Sequence, residues 1–399
     1  MTYQGERARP MTITPVPGSA VPAGVIRRRA FVAATPAMLL ASSTLPACSK
    51  ASDPDSHESV AARIRRADSA VGIQGATPGL ELPRDLVREL VRCATLAPSS
   101  HNTQCWRFAV EGKGLTILPD LSRRCPAVDP DDHHVFVTLG CAAENLVHAA
   151  LAHGLHAETR FDAMRGAVQV ALAPTAAQAS PLFQAMDARQ CTRGDYDGKP
   201  LSSGELALLE CAGTSNGVRV LLLTERPAME RVLDYVVQGN TAQLEDPAFV
   251  KELKSWVRFN GPDAVRTGDG LFSVCTGNPE IPAWLGKLAF GWFLTPKGEN
   301  DKYARQIRNS AGIAVFVGEA ADKAHWVEVG RAYERFALQA AALGIRNAFL
   351  NQPVEVAAVR TPFAAALGLA GQRPDLVVRF GRGPALPSSL RRPVESVMV

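Results

Sequence analysis

Two arginines four residues apart, in Arg189-Gln-Cys-Thr-Arg193, are the residues of this chain best suited to hold a phosphate dianion. A guanidinium presents a planar fork of N–H donors that matches a phosphate edge, and in a turn or loop two such forks can converge. Arg391, in Leu390-Arg-Arg-Pro393, would add another fork from the C-terminal segment, and Cys191 lies between the pair. Small donors and acceptors gather in Pro98-Ser-Ser-His-Asn-Thr-Gln-Cys-Trp106, where Ser99, Ser100 and Asn102 occupy a loop at a helix end. Asn351 and Gln352, in Leu350-Asn-Gln-Pro353, follow a second helix. Taken singly, such arginines are ordinarily solvated and such serines ordinarily cap helices. None of these groups is demanded as an acid, base or nucleophile, so no catalytic residue is assigned.

Metal and thiol chemistry have weaker signals. The adjacent pair His133–His134 would point about 100° apart on a helix, which argues against a shared metal. The eight cysteines include no Cys-x-x-Cys, which excludes zinc-ribbon and thioredoxin patterns, and most sit in apolar runs as small buried hydrophobes.

These residues must be positioned by helices and strands. Leu86, Val87, Leu90, Val91 and Ala94 keep a helical period that Pro98 stops. Trp106, Phe108 and Val110 alternate as a strand, Glu111–Gly114 turns, and Leu115–Leu118 forms a second strand. A helix from Phe136 to Leu151 ends at Gly154, and Val168–Leu172 is a strand. The order then repeats. Ser202-x-x-Glu205 is a capping box opening a helix through Cys211. Strands follow at Val218–Leu223 and Gly312–Val317, then a helix from Trp326 ending at Gly344 and a last strand at Asp375–Phe380.

Gly140–Gly154 and Gly330–Gly344 align without gaps: Ala142 matches Ala332, Glu144 matches Glu334 and Ala150 matches Ala340. Two copies of one helix, rich in small residues, predict a fused dimer whose helices meet near a pseudo-twofold axis. The fold expected is α+β: two tandem halves, 81–180 and 181–399, with central antiparallel or mixed sheets flanked by helices. An insertion at about 225–309 holds Trp256, Phe259, Trp284, Phe290, Trp292 and Phe293. It is expected to be a lid with Trp256, Trp284 and Trp292 facing inward; a partner surface and an accessory core are the alternatives.

The hydrophobic fraction of 46% and mean hydropathy of −0.01 exclude a disordered chain. The net charge of +4 comes with scattered arginines rather than a basic stripe, which argues against nucleic-acid binding. Residues 1–48 have the features of a targeting signal. Arg28-Arg29-Ala30-Phe31-Val32 resembles a twin-arginine export motif, and the apolar run to Leu45 is too short and too polar for a transmembrane span. Leu45-Pro-Ala-Cys48 resembles a lipoprotein cleavage box with Cys48 as the acylated residue, so a periplasmic or envelope location is expected. Residues 49–80 are polar and are expected to be a linker.

The loop Pro98–Trp106 resembles the PSSxNxQPW loop of the nitroreductase family of FMN-dependent oxidoreductases, and the whole pattern resembles its Acg-type members, which fuse two such units in one chain. Arg189–Arg193 resembles the family's RxSxR/K segment, and Leu350–Pro353 its flavin-ring loop. Phe380-Gly-Arg-Gly383 and Leu390–Pro393 resemble its C-terminal signature. The resemblance covers about residues 82–397. It implies FMN held by Arg189, Cys191, Arg193, Ser99, Ser100, Asn102, Asn351, Gln352 and Arg391. It also implies NAD(P)H or another electron donor, and a small electron-poor acceptor, a nitroaromatic or quinone. Only one composite site is complete, so one FMN per chain is expected, in a monomer or weak dimer. Cys191 stands where the family has Ser or Thr and Cys105 where it has Pro. Two other readings compete: a catalytically weak FMN store closed by the lid, and a flavin-free binding scaffold.

Overall fold

The computed structural model describes residues 53–66 and 82–399, apart from 216 and 370. The export motif, Cys48 and most of the expected linker lie outside these residues. Within that linker stretch, however, His57–Arg65 (α1) is a helix whose Ala61 packs with Ala264, Phe272, Cys275 and Leu390.

Two sheets of four strands carry the fold. The first contains β1 (Trp106–Glu111), β2 (Gly114–Pro119), β3 (Leu155–Asp162) and β4 (Ala167–Pro174), in the order β1-β2-β4-β3. The second contains β5 (Val218–Leu223), β6 (Gly312–Gly318), β7 (Arg346–Phe349) and β8 (Pro374–Gly381), in the order β5-β6-β8-β7. Every neighbouring pair in both sheets is antiparallel. The two halves therefore share one strand order. Strands β3 and β7 were absent from the sequence expectation, although Leu155–Asp162 alternates buried and more exposed positions as a half-buried strand does.

The helices follow in chain order. They are α2 (Arg84–Thr95), α3 (His133–Ala152), α4 (Ser203–Gly213), α5 (Arg226–Glu245), α6 (Pro247–Trp256) and α7 (Gly261–Thr267). After them come α8 (Ala283–Phe293), α9 (Pro296–Arg308), α10 (Lys323–Ala342) and the short α11 (Gln352–Glu355). The Ser202–Glu205 capping box is present at α4. Beyond α3 and α10, Gly154 (φ +76°) and Gly344 (φ +69°) take the left-handed backbone that a helix end favours. Helix α3 is long and apolar enough to cross a membrane, yet most of it is buried in the core of this fold.

Helices α3 and α10 are the joint between the halves. A Cβ on Gly140 would lie 1.9 Å from the carbonyl oxygen of Val327, and a Cβ on Gly330 would lie 1.9 Å from that of Val137. The contact is reciprocal, as a twofold axis between two copies requires. The backbones touch, and the Cys141 thiol donates to the Gly330 carbonyl at 3.2 Å. One continuous apolar core runs from β1 and β2 through both helices to β6 and β8.

Candidate functional site

A cavity of about 570 Å³ opens where the two halves and the insertion meet. That volume suits a cofactor-sized ligand, for which pockets span ~300–1,000 Å³. Of the nine expected site residues, Ser99, Ser100, Arg193, Asn351 and Gln352 line it. The first half thus supplies the loop after α2, and the second supplies the guanidinium and the segment after β7.

The loop Ser99–Gln104 is held in an unusual backbone. His101, Asn102 and Gln104 have φ of +49°, +54° and +56°, a conformation non-glycine residues adopt rarely and at a cost of about 1–3 kcal/mol each. The sequence provides the restraints. Asn102 Nδ2 donates to the Gly270 carbonyl at 3.0 Å, and Gln104 Nε2 donates to that of Gly268 at 2.8 Å. The Arg392 backbone N–H donates to Gln104 Oε1, and Arg391 Nη1 donates to Asn102 Oδ1 at 3.1 Å. Asn102 is therefore an anchor outside the cavity lining, and its work is to present Ser99 and Ser100 to it.

Arg391 is also placed differently from the expectation. It is buried, and its guanidinium donates to the carbonyls of Thr95, Leu96 and Ala97, buried acceptors at the C-terminal end of α2. A cation there meets the negative end of the helix dipole. Arg189 donates through Nη2 to the same Leu96 carbonyl at 2.9 Å and forms a buried ion pair with Glu334, with Nε and Oε1 3.1 Å apart. Its Nη1 is buried without a hydrogen-bond partner. Cys191 bridges to Asn347 beside β7 and does not line the cavity. These four residues form the structure behind the wall.

Arg193 is the guanidinium at the wall, and it makes no ion pair and donates no side-chain hydrogen bond among the described residues. Ser273 and Thr276 also line the cavity, and Cys275, between them in sequence, is buried behind it. Burial pushes the Cys275 thiol up to about 11, while Arg65, Arg391 and Arg193 pull against that rise. Arg65 belongs to α1, within the stretch expected to be a linker, and does not line the cavity. Its guanidinium donates to the Ala61 and Ser389 carbonyls.

Another part of the lining is polar and incompletely paired. His134 is buried, with neither ring nitrogen hydrogen-bonded, and Gln352 Oε1 is likewise buried without a partner. Burial, and then His133, hold the His134 imidazole down to about 3, so the ring is neutral near pH 7. Glu355 beside it is raised by burial and accepts from Gln243 Nε2 at 2.6 Å. Contrary to the divergence expected for the histidine pair, the two rings lie 4.7 Å apart. His133 Nε2 is turned to Asp375 at 2.9 Å. Only the burial of α3 on every side distinguishes His134 from a solvated residue, and that is a tertiary property.

The insertion lines the cavity with aliphatic and phenyl groups, among them Phe249, Leu253, Phe259, Phe290 and Leu294. The expectation of inward tryptophans is corrected. Trp284 and Trp292 are 69% and 80% exposed, and the Trp256 ring packs against the guanidiniums of Arg123 and Arg258 at 5.3 and 5.9 Å. Of the cysteines, Cys141 reaches the lining; Cys105 is buried and inert, with its pKa pushed up to about 11 by burial.

Fold and site define an α+β protein of two like halves that enclose a ligand-sized cavity between them. No family model matches the chain. Over 327 residues, 79% of this chain and 91% of the relative, it is 27% identical to a Mycobacterium tuberculosis protein named "Putative NAD(P)H nitroreductase", with the same match in two strains. The chain is a homologue of the nitroreductases so named. Among solved structures, a "putative nitroreductase" from Anabaena variabilis aligns with TM-score 0.37 and 10% identity, over 72% of this chain and 82% of that one. An FMN-dependent nitroreductase from Mycobacterium smegmatis, in complex with NADPH, aligns with TM-score 0.34 and 11% identity, over 51% and 87%.

Proposed function

We propose that the chain is an FMN-dependent NAD(P)H oxidoreductase acting on a small electron-poor acceptor such as a nitroaromatic or quinone. The observation that carries this reading is the composite wall. Ser99 and Ser100 from one half and Arg193, Asn351 and Gln352 from the other line one cavity, and Arg193 makes no ion pair among the described residues. An unopposed guanidinium suits a phosphate, and buried unpartnered groups such as Gln352 Oε1 suit a ligand that brings its own donors. The names of the curated relatives agree with this chemistry.

FMN, when bound, supplies electron exchange between a nicotinamide and the acceptor. The protein binds and orients. Arg193 holds the phosphate, Ser99 and Ser100 offer hydroxyls, and the segment at Asn351 is fixed because Asn351 Oδ1 accepts from the Val377 backbone N–H at 3.0 Å. The phenyl and aliphatic side chains of the insertion exclude water. The complete set occurs once, so one FMN binds per chain. The buried side chains Arg189 and Arg391 stiffen the wall from behind. Residues 1–48 direct export, and Cys48 is the candidate for acylation.

The visible spectrum of purified protein tests the reading. A flavin spectrum, or uptake of added FMN by the colourless protein, is expected; a colourless chain that takes up none overturns it. A second reading, FMN storage, draws on Gly286, Phe290 and Leu294 of the α8 segment, which line the cavity as a cover would. Flavin bleaching by NADPH at ordinary turnover rates, about 1–10³ per second, separates enzyme from store.

A further inference from the structure

We propose that the outward face of α8 is a docking surface for the headgroup region of a lipid bilayer. Nine large hydrophobic side chains are exposed among the described residues, and four of them, Trp284, Leu285, Leu288 and Trp292, belong to this one helix of 11 residues. Trp284, Leu288 and Trp292 recur every fourth residue. They form a stripe on one face, about 12 Å long at 1.5 Å per residue. Leu288 is 68% exposed, as bare as the tryptophans that flank it.

The opposite face of the helix is also apolar. Gly286 and Phe290 line the cavity, and a Cβ on Gly286 would lie 2.3 Å from the Phe259 ring, so the helix is pressed against the body there. A helix apolar on all sides is normally covered on all sides. Here one face is covered by the protein and the other by nothing among the described residues.

The composition of the bare face selects its cover. The helix is too short to span a bilayer, which takes about 20 residues. Indole rings at both ends of a short apolar stripe match the interface, where their apolar rings and N–H groups are both accommodated. The helix contains no acidic residue, and its single charge is Lys287, on the exposed side. A lone cation among leucines and tryptophans complements anionic headgroups.

Flotation of the purified chain with vesicles of 3:1 phosphatidylcholine and phosphatidylglycerol tests the proposal. Wild type is expected to float with the vesicles and to show a blue-shifted tryptophan emission. The combined variant Trp284→Ser, Leu288→Ser, Trp292→Ser is expected to lose vesicle partitioning by at least about tenfold. Because these side chains are exposed, its thermal midpoint should stay at the wild-type value, which shows that the loss is not misfolding. Wild type that stays with the soluble fraction at millimolar lipid overturns the proposal. So does a dimer, measured by light scattering, that the triple variant dissociates while wild type ignores vesicles, since the cover is then a second copy.

Discussion

Glu144 and Glu334 occupy matching positions in α3 and α10, each four residues after the glycine at which the two helices touch, and they are held in opposite states. Burial would raise Glu144, but His148, Arg335 and Arg331 bring it down to about 2, with Arg335 and Arg331 at 2.9 and 3.0 Å. Glu334 is buried, and desolvation outweighs Arg189, Asn145 and Arg391 and pushes its carboxyl up to about 7. A symmetric pair of positions has become one anionic anchor and one carboxyl that shares its proton with bulk near neutrality.

The pH dependence of stability follows with a definite sign. A carboxyl whose folded pKa lies above the ordinary 4.5 stabilises the fold below that value and loses this contribution as pH rises through about 7. Urea unfolding between pH 5 and 8 should show stability falling by up to about 3 kcal/mol from this group. Glu334→Gln, which cannot ionise, should flatten that slope. Glu144 acts in the other direction, its contribution lost only as pH falls from 4.5 toward 2.

Arg193 and Arg189 should separate binding from folding. Arg193→Ala removes an unopposed guanidinium from the wall and should weaken FMN affinity about tenfold or more, read by fluorescence quenching, with little change in melting. Arg189→Ala leaves Glu334 and the Leu96 carbonyl without their partner and should destabilise the apo fold by on the order of 3 kcal/mol. Loss of FMN affinity in Arg189→Ala alone, with no effect on stability, would place the phosphate at Arg189 instead.

Gly330→Ala should be among the most damaging single methyl additions in the chain. The new carbon would meet a carbonyl oxygen at 1.9 Å inside a helix contact that has no flexible side chain to move. A loss of about 3 kcal/mol or more is expected, whereas alanine at the open, exposed Gly291 inside α8 should gain up to about 1 kcal/mol.

His134→Leu should raise apo stability by about 1 kcal/mol, since it removes two buried nitrogens that have no partner. The same change should impair ligand-dependent behaviour: a shifted flavin absorption band or a lower turnover. A variant that is less stable and spectrally unchanged would show that His134 is a core residue only.

The helix pair was legible because its signal is local: two glycines fourteen residues apart, repeated with the same small residues between them. The expected strands followed from alternation. Strand β7, four residues long, gave too little pattern to notice. For the site, residue type indicated the binding segments but not which side chains face the ligand. Asn102 looks like a ligand contact in sequence, yet its hydrogen bonds to Gly270 and Arg391, with those of Gln104 to Gly268 and Arg392, make the two residues anchors for strained backbone. The partners of those bonds are remote in sequence, which no local pattern encodes. The tryptophans of the insertion misled for a related reason. Aromatic density marks apolar surface, and the side of the helix that is covered depends on its neighbours.

The crossing of α3 and α10 also sets how the molecule answers dilution. In an assembly of separate subunits, a cavity walled by both partners empties its walls apart as concentration falls. Here both walls belong to one chain, so their encounter is intramolecular and their effective concentration is fixed by the connecting residues. The cavity should persist at any protein concentration, and ligand occupancy should follow free ligand alone.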